Sequence, residues 1–152
     1  SYLLSLYPAG KKDTPILTNI LTIGEREFLT LATVVNSDNI NFFSIPDLNL
    51  LINPVRTMLR FVHLSPDTPA VDITLPDGTV LFRNISYQEG SSYLPVAAQN
   101  YTLQIREAGT PNVLLTVPGN NLNPNEYYTF YALGLSQGLP KLKGELLLDG
   151  FK

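Results

Sequence analysis

His63 is the single histidine in the chain, and Ser65, Asp67 and Asp72 lie close to it. Serine, histidine and aspartate are the residue types of a nucleophile, its general base and the carboxylate that orients the base. The spacing argues against that use. The segment alternates as a strand, so His63 and Ser65 share one face with no room for a substrate between them. The residues read better as a turn at Ser65-Pro66-Asp67, with the Ser and Asp side chains satisfying nearby backbone N–H groups. His63 would then form a hydrogen bond at the strand end.

Other chemistries fare no better. A zinc site needs three or four Cys, His or carboxylate ligands, and the chain has no Cys and one His. Calcium needs only oxygens, and Asp67, Asp72 and Asp77 are near one another, but they lack the dense alternation of a calcium loop. Turn and strand-end roles suit them better. A glycosidase needs two carboxylates facing across a cleft, and the thirteen acids single out no pair. Gly134 and Gly138 flank a loop, not the strand-to-helix turn of a phosphate loop. No catalytic set, metal or cofactor is expected. The remaining candidate is aromatic. Tyr127, Tyr128, Phe130 and Tyr131 sit in one strand, with Tyr127, Thr129 and Tyr131 on one face and Tyr128 and Phe130 on the other. One face must be core. The other could present tyrosines to a sugar or a protein, so Tyr127, Tyr128 and Tyr131 form a candidate binding surface. The plainer expectation is that they cover the sheet or a second repeat.

These residues must be held by strands. Twelve Pro and ten Gly punctuate short apolar runs in a chain of 152 residues. Val71, Ile73, Leu75 and Tyr101, Leu103, Ile105 alternate with period two, and Pro76-Asp77-Gly78 is a strong turn signal. Strands are predicted near 57–64, 70–75, 79–83, 91–97, 100–107, 112–117, 126–135 and 140–149. That pattern is an all-β, immunoglobulin-like antiparallel sandwich. Ile45 to Val55, broken by Pro46 and Pro54, reads as a linker or short strand. Hydrophobic residues make up 44%, enough for a core, and charged residues only 15%, against about a quarter in typical domains. A net charge of −3 with no basic run argues against nucleic acid. No apolar run reaches the length of a transmembrane helix.

The chain also repeats itself. Tyr2-Leu3-Leu4-Ser5-Leu6 resembles Tyr101-Thr102-Leu103-Gln104-Ile105, and both continue into Ala-Gly and then Thr-Pro. Glu27-Phe28-Leu29-Thr30-Leu31 resembles Glu126-Tyr127-Tyr128-Thr129-Phe130. Both blocks are offset by 99 residues. Residues 1–50 therefore read as the back half of a repeat whose complete copy spans 55–152. No upstream residue matches the front half, Leu59 to Val96. An isolated back half would carry open strand edges and too little core to fold alone. Three arrangements would resolve this: a proteolytic product whose front half lies upstream, two copies that complete each other by self-association, or first strands packed directly on the second repeat. The first restores the period and is the expectation.

The stretch Leu59-Arg60-Phe61-Val62-His63-Leu64-Ser65-Pro66-Asp67-Thr68-Pro69-Ala70-Val71-Asp72 resembles the opening signature of a bacterial family, domain of unknown function 4397. Asp77-Gly78, Val80-Leu81-Phe82, Ile85-Ser86-Tyr87, Tyr93-Leu94 and Ala108-Gly109 continue the likeness. Pro95 departs from it, as does the turn Ala97-Ala98-Gln99-Asn100. The resemblance implies a tandem immunoglobulin-like sandwich on exported or surface-attached proteins, with an export signal upstream of Ser1, and no known catalysis. It implies structural roles for His63, Ser65, Pro66, Asp67, Pro69 and Asp72. A non-catalytic structural or interaction module is expected, with a protein, cell-wall or glycan partner. The alternative is a carbohydrate or small-ligand binder using the tyrosines and the Asp67/Asp72 turn.

Overall fold

A computed structural model describes residues 1–25, 27–36, 39–47 and 55–149. All the regular structure in them is strand, and the chain divides into two units, Ser1–Asn49 and Leu50–Lys152.

The first unit consists of two hairpins. β1 (Tyr2–Leu6) pairs antiparallel with β2 (Leu17–Leu21), and β3 (Phe28–Asn36) with β4 (Asn39–Asp47). Each hairpin is a two-stranded sheet by itself. The stretch from Ile45, expected as a linker or short strand, begins as strand: β4 runs through Pro46. A proline lacks the N–H of a ladder but is tolerated where the strand has one neighbour, and β3 is the only strand paired with β4 among the described residues. Residues 48–54 lie outside the described residues.

The second unit is a sandwich. Its strands are β5 (Thr57–His63), β6 (Val71–Thr74), β7 (Val80–Ile85), β8 (Glu89–Gly90), β9 (Leu94–Val96), β10 (Asn100–Glu107), β11 (Val113–Asn121), β12 (Tyr127–Leu133) and β13 (Lys143–Asp149). One sheet has the order β11-β10-β6-β7. The other runs β13-β12-β5-β8, with β9 also on β5. All pairings are antiparallel except β5 with β12, which is parallel. The strand expected at 91–97 is shorter, confined to β9, and an unexpected two-residue strand, β8, precedes it. Between them Ser91 replaces a ladder rung: its hydroxyl accepts from the Phe61 N–H at 2.9 Å while its own N–H donates to the Phe61 carbonyl at 2.8 Å.

The inward faces meet as period-two patterning requires. Leu59, Phe61, Phe130 and Ala132 from one sheet and Val71, Ile73, Leu103 and Ile105 from the other are fully buried. Phe61 and Phe130 pack at 5.9 Å between ring centroids. Gly144 on β13 makes room for this contact, since a Cβ there would meet the Phe130 ring at 2.5 Å and Val117 at 2.6 Å. Tyr101 opens β10 and donates its hydroxyl to the carbonyl of Ala97, four residues upstream, at 3.0 Å. This is the geometry of a tyrosine corner, a feature of immunoglobulin-like sandwiches.

Candidate functional site

The turn after β5 brings together most of the residues with chemical promise and engages each one internally. His63 is fully buried. Its Nδ1 accepts the Ser65 N–H at 3.2 Å, so Nε2 carries the proton and donates to the Pro69 carbonyl at 3.1 Å. Burial holds the imidazole below its ordinary value of 6.5, outweighing the Pro69 and Thr68 carbonyls and the charge of Glu89, which favour protonation. The Ser65 hydroxyl lies 2.6 Å from that of Thr68 and 3.5 Å from Asp67. Its partners are thus Thr68 and Asp67, and the imidazole is bonded instead to the Ser65 N–H and the Pro69 carbonyl.

Asp67 clamps this turn to the loop after β12. Its carboxylate accepts the N–H groups of Ser136 and Gln137, each at 2.8 Å, and its carbonyl accepts the Ser136 hydroxyl at 3.1 Å. Desolvation would raise its pKa, but the bonds from Gln137 and Ser136 prevail and hold it below the usual carboxylate value. Asp72 acts elsewhere. From β6, the strand between β7 and β10, it accepts the Asn84 N–H at 2.7 Å and the Gly109 N–H at 3.1 Å. Both donors have left-handed backbones, with φ of 51° and 72°. Asn84 lies at a register shift between β6 and β7, and Gly109 in the β10–β11 turn. Asp72 therefore holds an irregular strand and a tight turn from one position. Pro66 and Pro69 are exposed on either side of buried Thr68.

The tyrosine strand divides its faces as alternation requires, but it does not expose a tyrosine stripe. Tyr128 points into the core, and its hydroxyl donates to Glu126 at 2.5 Å and accepts the Asn123 N–H at 3.1 Å. Tyr131 is also buried. Only Tyr127 is half-exposed, set edge-on to Tyr93 with ring centroids 5.1 Å apart. The expected surface of Tyr127, Tyr128 and Tyr131 is corrected accordingly: two of the three rings are inside.

A polar network lies beside Tyr127. Arg60 of β5 is buried, donates from Nε to the Thr129 hydroxyl at 2.7 Å, and lies 4.8 Å from the centre of the Tyr93 ring. Thr129 donates in turn to Asp149 of β13 at 2.5 Å. Tyr93 donates to the same carboxylate oxygen at 2.8 Å. Burial and the Asp149 charge push the Tyr93 phenol well above its ordinary value. A separate open cleft of about 430 Å³ is lined by residues that include Arg56, Val96, Ala98, Pro124 and Asn125. Among the described residues Arg56 is the one cation in its lining, and Thr57, whose hydroxyl donates to the Asn123 carbonyl at 2.8 Å, also borders it. Among the described residues, no group of three or more His, Asp or Glu is placed to hold a metal, and no helix is long and apolar enough to cross a membrane.

The profile of one family, Domain of unknown function (DUF4397), matches residues 1–74 and 57–144. The chain belongs to this family. The two matches overlap at β5 and β6, and they correspond to a full copy preceded by a partial one. The C-terminal domain of AlgF from P. aeruginosa is similar at 16% identity and a TM-score of 0.47, over 62% of this chain and 99% of that one. No curated protein matches.

In this DUF4397 chain the signature is thus a set of loop clamps around β5 and β6. Sequence reading missed Arg60, Tyr93, Thr129 and Asp149, which come together from four separate segments. One signal was available: an Arg set among Leu59, Phe61 and Val62 in a strand needs a partner when it is buried.

Proposed function

We propose that this chain is a non-catalytic structural and interaction module of an exported or surface-attached bacterial protein. One observation carries the reading: the His63, Ser65, Asp67 and Asp72 side chains are all engaged in holding turns and strands of their own unit. A residue that must keep a loop bond to preserve the fold is a poor proton shuttle or nucleophile. The low charge and the tandem copies suit a spacer that presents surfaces in series. The test is retention of the full chain on insoluble cell wall and on immobilised glycans, together with fractionation of the source cells. Recovery with the envelope or the medium supports the reading. Recovery in the cytosol, with nothing retained, contradicts it.

A second reading, capture of a small anionic ligand, rests on the cleft at Arg56 and not on the tyrosines. The cleft volume falls in the usual ligand range of roughly 300–1,000 Å³. Titration with acidic oligosaccharides, repeated on Arg56→Ala, checks it: binding that the substitution abolishes supports this use, and no binding rejects it.

A further inference from the structure

The first unit has the hairpins of the second unit's back half, and at their ends the cross-strand partners correspond. Tyr2 stands opposite Leu21 as Tyr101 stands opposite Asn120. Phe28 stands opposite Asp47 as Tyr127 stands opposite Asp149. Thr30 donates to Asp47 at 2.9 Å, as Thr129 donates to Asp149. In the second unit β6 lies against β10 and β5 against β12. The corresponding strands of the first unit, β1 and β3, have no second strand neighbour among the described residues.

Burial follows the same division. Tyr101 is 7% exposed and Phe130 0%, whereas their counterparts Tyr2 and Leu31 are 61% and 37% exposed. A gap of about 110 Å³ lies between the two hairpins, bordered by Leu4, Leu21, Leu31 and Phe42. In the complete unit, Phe61 of β5 packs on Phe130, the counterpart of Leu31.

We propose that the first unit is a receptor for one more front half, a segment built like Val55–Gln99 of this chain. Its equivalent of β5 adds parallel to β3, and its equivalent of β6 adds antiparallel to β1, a case of strand addition at open edges. Charge and shape both fit this occupant. Its Arg60 equivalent arrives beside the Thr30–Asp47 pair, and its Tyr93 equivalent brings the hydroxyl that Asp149 accepts in the complete unit. Its Phe61 equivalent enters the gap at Leu31. Gln99 joined to Ser1 keeps the repeat in register, since Ser1 corresponds to Asn100. The Ala97 carbonyl then stands four residues before Tyr2, as it stands before Tyr101. This inference does not depend on what the chain binds elsewhere, or on whether it is exported.

The experiment fuses a second copy of Val55–Gln99 directly ahead of Ser1 of the full chain and follows amide hydrogen exchange. The expected result is that Leu4, Leu6 and Leu31 slow by on the order of 100-fold, toward Leu103, Ile105 and Phe130, which serve as internal references. A second fusion carrying Phe61→Asp in the added copy is expected to leave the first unit exchanging as in the unfused chain. Unchanged exchange in the first fusion overturns the proposal, as does equal slowing in both. Sedimentation of the unfused chain gives a further check. A dimer in which Tyr2 and Leu31 become protected means that two first units cover each other, and that also overturns it.

Discussion

The hairpins β1–β2 and β3–β4 and the hairpins β10–β11 and β12–β13 are the same construction in two settings. Residue types recur at an offset of 99 in β1 and β3, and the pair Tyr2–Leu21 recurs with them as Tyr101–Asn120, while Phe28–Asp47 recurs as Tyr127–Asp149 with the aspartate three residues further on. In the second set β6 pairs with β10 and β5 with β12. There the alternating residues reach complete burial; in the first set the same positions remain partly or largely exposed. Hairpin pairing is therefore a local property of these sequences, while the core belongs to the sandwich. Most of the stabilisation of such strands comes from apolar area removed from water, so the two sets should differ widely in their response to identical changes.

The largest expected difference is in the core. Phe130→Ala removes a fully buried ring and should cost about 3–5 kcal/mol. Leu31→Ala at the corresponding position should cost about 1 kcal/mol or less. Denaturant unfolding of each variant checks this, and equal costs would break the comparison. Next comes the polar network. Thr129→Val leaves buried Arg60 without its hydroxyl partner and should cost about 2 kcal/mol. Thr30→Val removes only the half-buried bond to Asp47 and should cost about half as much.

A gain is expected at Thr74. Its hydroxyl is buried and has no partner among the described residues, so Thr74→Val keeps the branched shape, removes the unsatisfied group and should stabilise the second unit by about 1 kcal/mol. The smallest effect is a slope. His63 binds a proton less readily when folded than its ordinary value of 6.5 implies. Below that pH the unfolded chain takes up the proton first, so this contribution is fully present above 6.5 and is lost as pH falls toward the lower folded value. Unfolding measured across this range should show the loss in the second unit, and His63→Leu should flatten it. The first unit has no histidine and should show no such response.

Much of the fold was legible because strands advertise themselves locally. Val71-Ile73 and Leu103-Ile105 alternate, and Pro76-Asp77-Gly78 marks a turn, so β6, β7 and β10 fall where the pattern puts them. The repeat was legible because offset identity needs no geometry. The break between β8 and β9 was not, because it depends on a serine hydroxyl bonding to Phe61, thirty residues away. The same limit hid the Arg60 network, whose members are distant in sequence and meet only through strand pairing. Turn roles for Ser65, Asp67 and Asp72 could be inferred from residue type, but their partners at Ser136, Asn84 and Gly109 could not. The tyrosines misled because period two assigns faces without saying which faces are covered: Tyr131 lies on the face opposite the core and is buried all the same.

The central claim is that a back half owes its order to the front half laid over it. Native-state hydrogen exchange on the full chain tests it most directly, by comparing Leu4, Leu6 and Leu31 with Leu103, Ile105 and Phe130. The account predicts that the second group exchanges only through opening of the whole sandwich, while the first exchanges on the order of 100-fold faster or more through local opening. Equal protection of the two groups would contradict it.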